Sequence, residues 1–346
     1  MGTEPLLSIC IATFNRARFL GATLDSILAQ CSAGVEVIVV DGGSADSTAS
    51  IAAEYQSRYP ALRYERLPGN GGVDRDFNTA VELARATWCW LFPDDDIMLP
   101  GAIDAVLSRI DEGHDLILVN AEVRDVRLKK ILDANRLALQ HDRVYPSGEH
   151  ERLFTECGDY LTFIGGVVIR RALWESRDRE RYFGSLFIHF GVVFQSQLPC
   201  TALALAKPWI AIRYGNAMWT SRGFEIWMFK WPELVWSMPF PESAKAQVVA
   251  REPWRNPLRL MLFRAMGAYS HAEYRSFIAP RLKVRSRDLP ARMLAAVIAI
   301  FPGVIANALA FAAAALLTLF RPTTTWIDLR NSRFCLLNVW GKGTRE

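Results

Sequence analysis

The chain has 346 residues, 51% of them hydrophobic and 22% charged, with a net charge of +4, a pI near 8.7 and a mean hydropathy of +0.10. That length exceeds what one compact domain needs and predicts a main domain with an appended region. The charge is too mild to argue for a nucleic-acid partner and no basic, aromatic-interleaved surface accompanies it, while the hydropathy leans toward membrane contact. Cys10, Cys31, Cys89, Cys157, Cys200 and Cys335 show no Cys-x-x-Cys spacing and read as reduced and structural. The opening "MGTEPLLSICIATFN" has no basic segment and an apolar run too short for an export signal, so the chain is expected to face the cytoplasm.

In chain order, "LLSICIAT" reads as a buried strand and "RFLGATLDSILAQ" as a helix with Leu20, Leu24, Ile27 and Leu28 on one face. "VEVIVVD" is apolar and β-branched on consecutive positions, the pattern of a central parallel strand covered on both sides. "SADSTASIAAEYQSRY" opens with good cap residues and continues as a helix. "LRYERL" is a third strand, "FNTAVELARA" a third helix and "WCWLF" a fourth strand. "PGAIDAVLSRI" predicts a helix with Pro100 at its start, and "HDLILVNAEV" a further strand. This alternation predicts an α/β fold with a mostly parallel, doubly wound sheet. Ligands bind such sheets at the carboxyl ends of the strands.

Beyond residue 124 the pattern loosens. Mixed strands at "FIGGVVIRR" and "KPWIAIRYG" flank a helix in "SLFIHFGVVFQSQL", and residues 224–289 are rich in Trp, Pro and Arg. From Met293 to Phe320 runs an uncharged segment, broken by Pro302 and Gly303, long enough to span a bilayer as one helix. Arg281, Lys283, Arg285, Arg287 and Arg292 precede it, and Arg321, Arg330, Arg333, Lys342 and Arg345 follow. Positive charge on both sides opposes sending either end across. A re-entrant hairpin or interfacial helices are therefore expected over a single crossing, with a buried helix of a soluble oligomer as the competing reading.

Four successive strand ends carry ligand-type polar residues. The first leads into Thr13, Phe14, Asn15 and Arg16. The second leads into "DGGSADST", headed by Asp41, whose carboxylate can accept from a ribose hydroxyl or a base N–H. The third leads into "PGNGGVDRDFN", with glycines that permit close backbone approach and with Asp74, Arg75 and Asp76. The fourth delivers Asp94, Asp95 and Asp96 between "WCWLF" and "IMLP". Adjacent carboxylates repel and call for a cation among them. A hard divalent ion, Mg2+ or Mn2+, takes oxygen ligands from one or two carboxylates plus substrate phosphates. The expected cation is thus a metal carrying a diphosphate, and a nucleoside suits the rest of the pocket.

"SICIATFNRARFLGATLDSIL", "VEVIVVDGGSADST", "GNGGVDRDFNTAVELARA" and "CWLFPDDDIMLPGAI" together resemble family 2 glycosyltransferases, inverting enzymes with a GT-A fold. "GGVDRDFN" and "WLFPDDD" are similar to abequosyltransferase-like members that build bacterial surface polysaccharides. The likeness implies a GT-A domain over 1–222, with a nucleotide-binding half at 5–125 and an acceptor half at 126–222. A Trp- and Arg-rich helical linker at 223–290 and a helical, membrane-associating segment with a basic tail at 291–346 would follow. It implies Thr13, Asn15 and Asp41 at the nucleotide, and Asp94 and Asp95 at the ribose and the metal. Asp96 stands beside them as a second metal and catalytic candidate, and Arg16, Asp74 and Arg75 complete the donor-binding set. Two departures stand out. The commoner Asp-x-Asp-Asp has Pro93 in its first place, and the Arg-Asn of many relatives is Phe77-Asn78, which leaves Arg75 to supply the phosphate charge.

An inverting transfer also needs a base for the acceptor hydroxyl. Many relatives take it from a Glu-Asp pair at the start of a helix, where "SLFIHFGVV" has Ile188 and His189. His189 has a suitable ordinary pKa and equally fits a core histidine, with Asp159 and Glu156 as carboxylate alternatives. Gly165 and Gly166 suit either close acceptor approach or a tight bend. Trp219 and Arg222, near Asn216, are the acceptor-binding candidates, an indole to stack on a sugar and a guanidinium to hold a phosphate. The expected protein is a metal-dependent hexosyl- or deoxyhexosyltransferase on the cytoplasmic face of the inner membrane. Its partners are a nucleotide-sugar donor and a polyprenyl-diphosphate-linked glycan acceptor. Competing expectations are transfer to polyprenyl phosphate itself and a nucleotide-binding membrane scaffold without catalysis.

Overall fold

A computed structural model describes residues 4–216, 222–282, 288–317 and 323–336. β1 (Leu7–Thr13), followed by α1 (Ala17–Leu28), and β2 (Val35–Asp41), followed by α2 (Thr48–Arg58), begin the sheet. Both strands are buried at every position, as strands covered on both faces require. They run parallel from Leu7 beside Val35 to Thr13 beside Asp41, so the polar residues that close them end side by side. β3 (Leu62–Arg66) joins β2 with Arg66 beside Asp41. After α3 (Val73–Leu83), β4 (Trp88–Phe92) joins the other side of β1 with Phe92 beside Ile11.

α3 begins four residues ahead of the expected "FNTAVELARA". Gly72, at φ 91°, turns the chain into the helix, and Asp74 and Asp76 fall in its first turn, where the helix dipole favours carboxylates. Asp74, Arg75 and Asp76 therefore stand on a helix and not on a free loop. Past the aspartates come β5 (Ile97–Met98), which the sequence pattern did not announce, and the short α4 (Ala102–Leu107).

The second half supplies β6 (His114–Asp125), β7 (Ile131–Asp133), β8 (Arg143–Tyr145), α5 (His150–Cys157), β9 (Val167–Arg170), α6 (Arg171–Glu175), α7 (Ile188–Phe194) and β10 (Thr201–Tyr214). The strand order is β3-β2-β1-β4-β9-β6-β10-β5, with β7 on β6 and β8 on β10. β9 lies antiparallel between β4 and β6, so the sheet is parallel over its first four strands and mixed beyond them. Within "FIGGVVIRR" only Val167–Arg170 are strand, Arg171 opens α6, and Ile164–Gly166 form a tight helical turn. The central core packs Ile9, Ile11, Val37, Val39, Trp90 and Phe92 of the sheet against Leu20, Leu24 and Ile27 of α1.

The chain divides into two compact units, Met1–Arg213 with Met238–Val248, and Tyr214–Ser237 with Val249–Glu346. The division falls at Tyr214, and of the expected 223–290 segment residues 238–248 belong to the first unit while the rest shares the second unit with 291–346. That unit starts with α8 (Gly223–Glu225), a π-helical turn at Ile226–Lys230 and α9 (Trp231–Ser237). α10 (Glu242–Val248) returns to the first unit, where the preceding Phe240 stacks on Phe154 of α5 at 4.1 Å between centroids. α11 (Pro257–Ala265), α12 (His271–Glu273), α13 (Leu289–Ile300), α14 (Gly303–Leu317) and α15 (Thr324–Asn331) complete the second unit. Among the described residues no single helix is long and apolar enough to cross a membrane. α13 and α14 reach that length only together, bent by 94° at Phe301 and Pro302.

Candidate active site

The four strand ends form one polar wall at the carboxyl edge of the parallel half, and the loops beyond β1 and β2 are stapled to each other. Asn15 adopts a left-handed φ of 54°, a conformation Asn tolerates better than most residues. Its N–H donates to Ser44 Oγ at 2.7 Å, and its Oδ1 accepts from the Ala45 N–H at 2.8 Å. Arg16 N–H donates to Thr48 Oγ1 at 3.0 Å. Asp41, fully buried, accepts from Ser44 N–H at 2.8 Å and Ser44 Oγ at 2.6 Å on one oxygen, and from the Tyr64 hydroxyl at 2.7 Å on the other. Thr13 is 2% exposed beside it.

The cation among the aspartates is an arginine of this chain. Arg16 Nε donates to Asp94 Oδ1 at 3.3 Å, and its terminal nitrogen donates to Asp95 Oδ2. Sequence reasoning placed Arg16 at the donor but missed this pairing across 78 residues. One guanidinium does not neutralise the cluster: burial and the neighbouring Asp95 push Asp94 up to about 7 against the pull of Arg16. Asp96 faces elsewhere. Its Oδ1 accepts the Arg213 N–H of β10 at 2.7 Å, and Arg213 Nε donates to the Asp95 carbonyl at 2.8 Å. The expected metal and catalytic part for Asp96 gives way to an anchoring one, because its carboxylate, 3% exposed, ties the triplet to β10.

Asp74 and Arg75 also find partners within the protein. Asp74 accepts the N–H groups of Gly184 and Leu186, each at 2.8 Å, and of Ile188 at 3.1 Å. It holds the turn before α7, a structural duty in place of the expected contact to the donor. Arg75 lies over the Phe183 ring, 4.4 Å from its centroid. The carboxyl that stays open is Asp76, which the sequence singled out only as a neighbour. Its Oδ1 is buried without a hydrogen-bond partner, and burial, Asp41 and Asp74 push its pKa up to about 6. A side chain at Gly42 would begin 2.8 Å from Asp76 Oδ2, and one at Gly71 would begin 3.7 Å from Oδ1. Two bare glycines thus flank this carboxyl; an unpaired acid in the first turn of a helix that follows a Gly-rich loop was the available signal.

His189 is not at the wall. It is 1% exposed in α7, its Nε2 meets the Leu161 carbonyl at 2.8 Å, and its Nδ1 is buried without a partner. Burial lowers its pKa to about 4, so it is a neutral core side chain and the expectation of a base there is withdrawn. Glu156 pairs with Arg143 at 2.6 Å and Arg152 at 2.9 Å. Gly165 and Gly166 take the packing option: the Gly165 carbonyl accepts Trp90 Nε1 at 2.8 Å, and a side chain at Gly166 would begin 2.6 Å from the Tyr160 hydroxyl. Arg222, in the second unit, pairs with Glu225 at 3.1 Å, and Trp219 lies outside the described residues.

Among the described residues no group of three or more His, Cys, Asp or Glu has the geometry of a metal site. The donor set nonetheless suits a hard cation that relies on substrate phosphates. Asp94 and Asp95 are adjacent carboxylates at the wall with more negative charge than Arg16 offsets, and one or two such ligands suffice for Mg2+ or Mn2+.

The polar wall at the carboxyl ends of the parallel strands, closed by adjacent carboxylates, lies within the span that comparison with known proteins matches to a glycosyltransferase domain. Residues 8–175 match the family described as Glycosyl transferase family 2, and the chain carries a domain of that family. It is 24% identical over 231 residues to the abequosyltransferase RfbV of Salmonella typhimurium, covering 63% of this chain and 69% of that one. It is also 30% identical over 122 residues to a chondroitin synthase of Escherichia coli, covering 35% of this chain and 18% of that one. Among solved structures, S. aureus TarS 1-349 superposes with a TM-score of 0.52 at 18% identity, over 94% of this chain and 88% of that one. The mannosyltransferase PcManGT of Pyrobaculum calidifontis, in complex with GDP-Man and Mn2+, gives 0.50 at 17% identity, over 99% of this chain and 89% of that one. These structural likenesses concern the fold.

Proposed function

We propose that the protein transfers a sugar, with inversion, from a nucleotide-sugar donor to a glycan acceptor in bacterial surface polysaccharide synthesis. The acceptor in this reading is linked to polyprenyl diphosphate, and the work is done on the cytoplasmic face of the inner membrane. The observation that carries the proposal is the placement of Asp94 and Asp95 on Arg16 at the end of β4, in line with Thr13 and Asp41 at the ends of β1 and β2. The abequosyltransferase and chondroitin synthase relatives support the polysaccharide setting. The apolar run of α13 and α14 supports a lipid-linked acceptor.

In the transfer, the acceptor hydroxyl oxygen bonds to the anomeric carbon while the bond from that carbon to the diphosphate breaks. The electron pair leaves with the nucleoside diphosphate, and the hydroxyl proton passes to a base. Asp95 with Asp94 would hold a divalent ion, Mg2+ or Mn2+, which supplies charge stabilisation for the departing diphosphate. Arg16 keeps both carboxylates aimed at one point, and Asp76, whose buried Oδ1 lacks a partner and whose carboxyl lies against Gly42 and Gly71, offers a hydrogen bond to the bound nucleoside. A second reading, a nucleotide-binding scaffold without transfer, draws on the burial of His189.

Thermal melts with UDP, GDP, CDP and dTDP, each with and without Mn2+ or Mg2+, test the site, since a ligand of the native state raises the melting temperature. One nucleotide stabilising only with metal supports the donor site. Turnover of the matching nucleotide sugar on a lipid-linked acceptor then separates transferase from scaffold. No stabilisation by any pair would sink both readings.

A further inference from the structure

α13 and α14 sort their side chains by size. Inward they bury Ala295, Ile298, Ala299, Gly303, Ala306 and Asn307. Outward, at helical spacing, Met293, Val297 and Ile300 of α13 and Ile305, Leu309 and Leu316 of α14 are 49% to 72% exposed. Arg292 is the sole charged residue of the two helices. Contiguous apolar exposure of this kind on a folded unit marks an interaction surface.

The inner faces are tied down. Asn307 Nδ2 donates to the Ala265 carbonyl at 3.1 Å and the Leu329 carbonyl at 2.8 Å, and Ser332 Oγ donates to the same Ala265 carbonyl at 2.8 Å. Gly303 packs against the Phe334 ring with no room for a side chain. At 1.5 Å per residue α13 and α14 are about 18 Å and about 22 Å long, each short of the roughly 30 Å hydrocarbon core. Straightening the 94° bend into one spanning helix would break the Asn307 bonds and uncover the small-residue face.

Charge selects the occupant. The unit formed by 214–237 and 249–346 holds 17 Lys and Arg against 7 Asp and Glu, a net +10, and leaves −6 for the rest of the chain. α11 and α15, which pack against the pair, expose Arg259 and Arg330. A second copy would bring two such units together and repel, whereas an anionic leaflet attracts basic side chains at its surface.

We infer that α13 and α14 form a monotopic docking surface that lies within one leaflet of an anionic bilayer, apolar side chains among the acyl chains and the neighbouring arginines at the headgroup phosphates. This deepens the membrane location proposed above and is independent of the transfer chemistry, because binding is measured without donor or acceptor.

The test is flotation of the full chain with vesicles of equal parts phosphatidylglycerol and phosphatidylcholine, and with phosphatidylcholine alone. The expected result is binding to the anionic vesicles that weakens with salt. Ile300→Glu with Leu309→Glu is expected to lower the partition coefficient about a hundredfold, about tenfold for each lost anchor, with an unchanged melting temperature. Arg259→Glu with Arg330→Glu weakens binding to the anionic vesicles and not to the neutral ones. If the double glutamate variant melts early, Ile300→Ser alone carries the test with about a tenfold loss. Undiminished vesicle binding by these variants, a carboxy-terminal tag protected inside the vesicles, or a vesicle-free dimer dissociated by Ile300→Glu would each overturn the inference. Vesicle binding by a protein inactive in transfer removes the enzymatic reading and leaves this one standing.

Discussion

The two units solve opposite problems with opposite composition. The first carries −6, and it gathers carboxylates at the strand ends that a bound cation or an internal arginine must offset. The second carries +10, holds almost no charge on its two longest helices, and leaves their large apolar side chains outside. A charge of +4 averaged over the whole chain hides both facts. Chemistry and location are therefore separable: substitutions in the cleft should abolish transfer and spare vesicle binding, and substitutions on α13 and α14 should do the reverse on a water-soluble acceptor. An Asp95 variant that loses vesicle binding would break this comparison.

The largest effect is expected from Asp95→Ala, with transfer falling about a thousandfold, as when a charge-stabilising group is removed from an active site. Melting is expected to hold or rise, because Asp94 loses the like charge that helps push it up to about 7. Arg16→Met follows. It leaves two adjacent, largely buried carboxylates without their guanidinium, and is expected to cost about 3 kcal/mol of stability, the low end for breaking a buried pair. Chemical denaturation measures that loss. Added Mn2+ should restore more stability to Arg16→Met than to the wild type, and equal restoration would argue against a metal at Asp94 and Asp95.

Asp76 sharpens the acid side of the comparison. Its folded pKa is about 6 against an ordinary 3.8, so between these values the folded state binds more protons than the unfolded one. The contribution of Asp76 to stability is accordingly greatest at and below about pH 4 and is lost as pH rises through about 6. Asp76→Asn removes the fall. Its melting temperature should match the wild type at about pH 4 and exceed it at about pH 7, by no more than about 3 kcal/mol in stability.

How far the sequence could be read follows from the range of each interaction. β1, β2 and β4 were legible because a strand buried on both faces writes its burial into consecutive apolar residues, as in "VEVIVVD". The polar residues past each strand were legible because strand ends mark themselves. The partners of those residues were not: Arg16 meets Asp94 across 78 positions, and Asp74 meets the turn before α7 across more than 100. No local pattern encodes such pairs. The start of α3 was misplaced because Gly-rich segments read as loops, although Gly72 is the residue that launches the helix. The break at Pro302 was legible, since proline cannot continue a helix hydrogen-bond ladder. The unit boundary at Tyr214 was not, because β10 runs through it without a change in composition.

The smallest effect on transfer is expected from His189→Gln, and it tests whether burial overrides a familiar residue type. A general base contributes roughly 10²–10⁴-fold, whereas a core side chain bonded to the Leu161 carbonyl contributes only through packing, for which a loss under about tenfold is expected. The acid limb of the stability curve gives the independent readout. Burial holds His189 at about 4 against an ordinary 6.5, so as pH falls from 6.5 to 4 the unfolded state takes up a proton that the folded state refuses, and stability drops across that window. Glutamine keeps a donor for Leu161 and has no proton to gain, so His189→Gln should flatten the drop while transfer persists. A variant that flattens the acid limb and also loses activity a hundredfold with a shifted pH–rate profile would return His189 to the chemistry and place the acceptor site against α7.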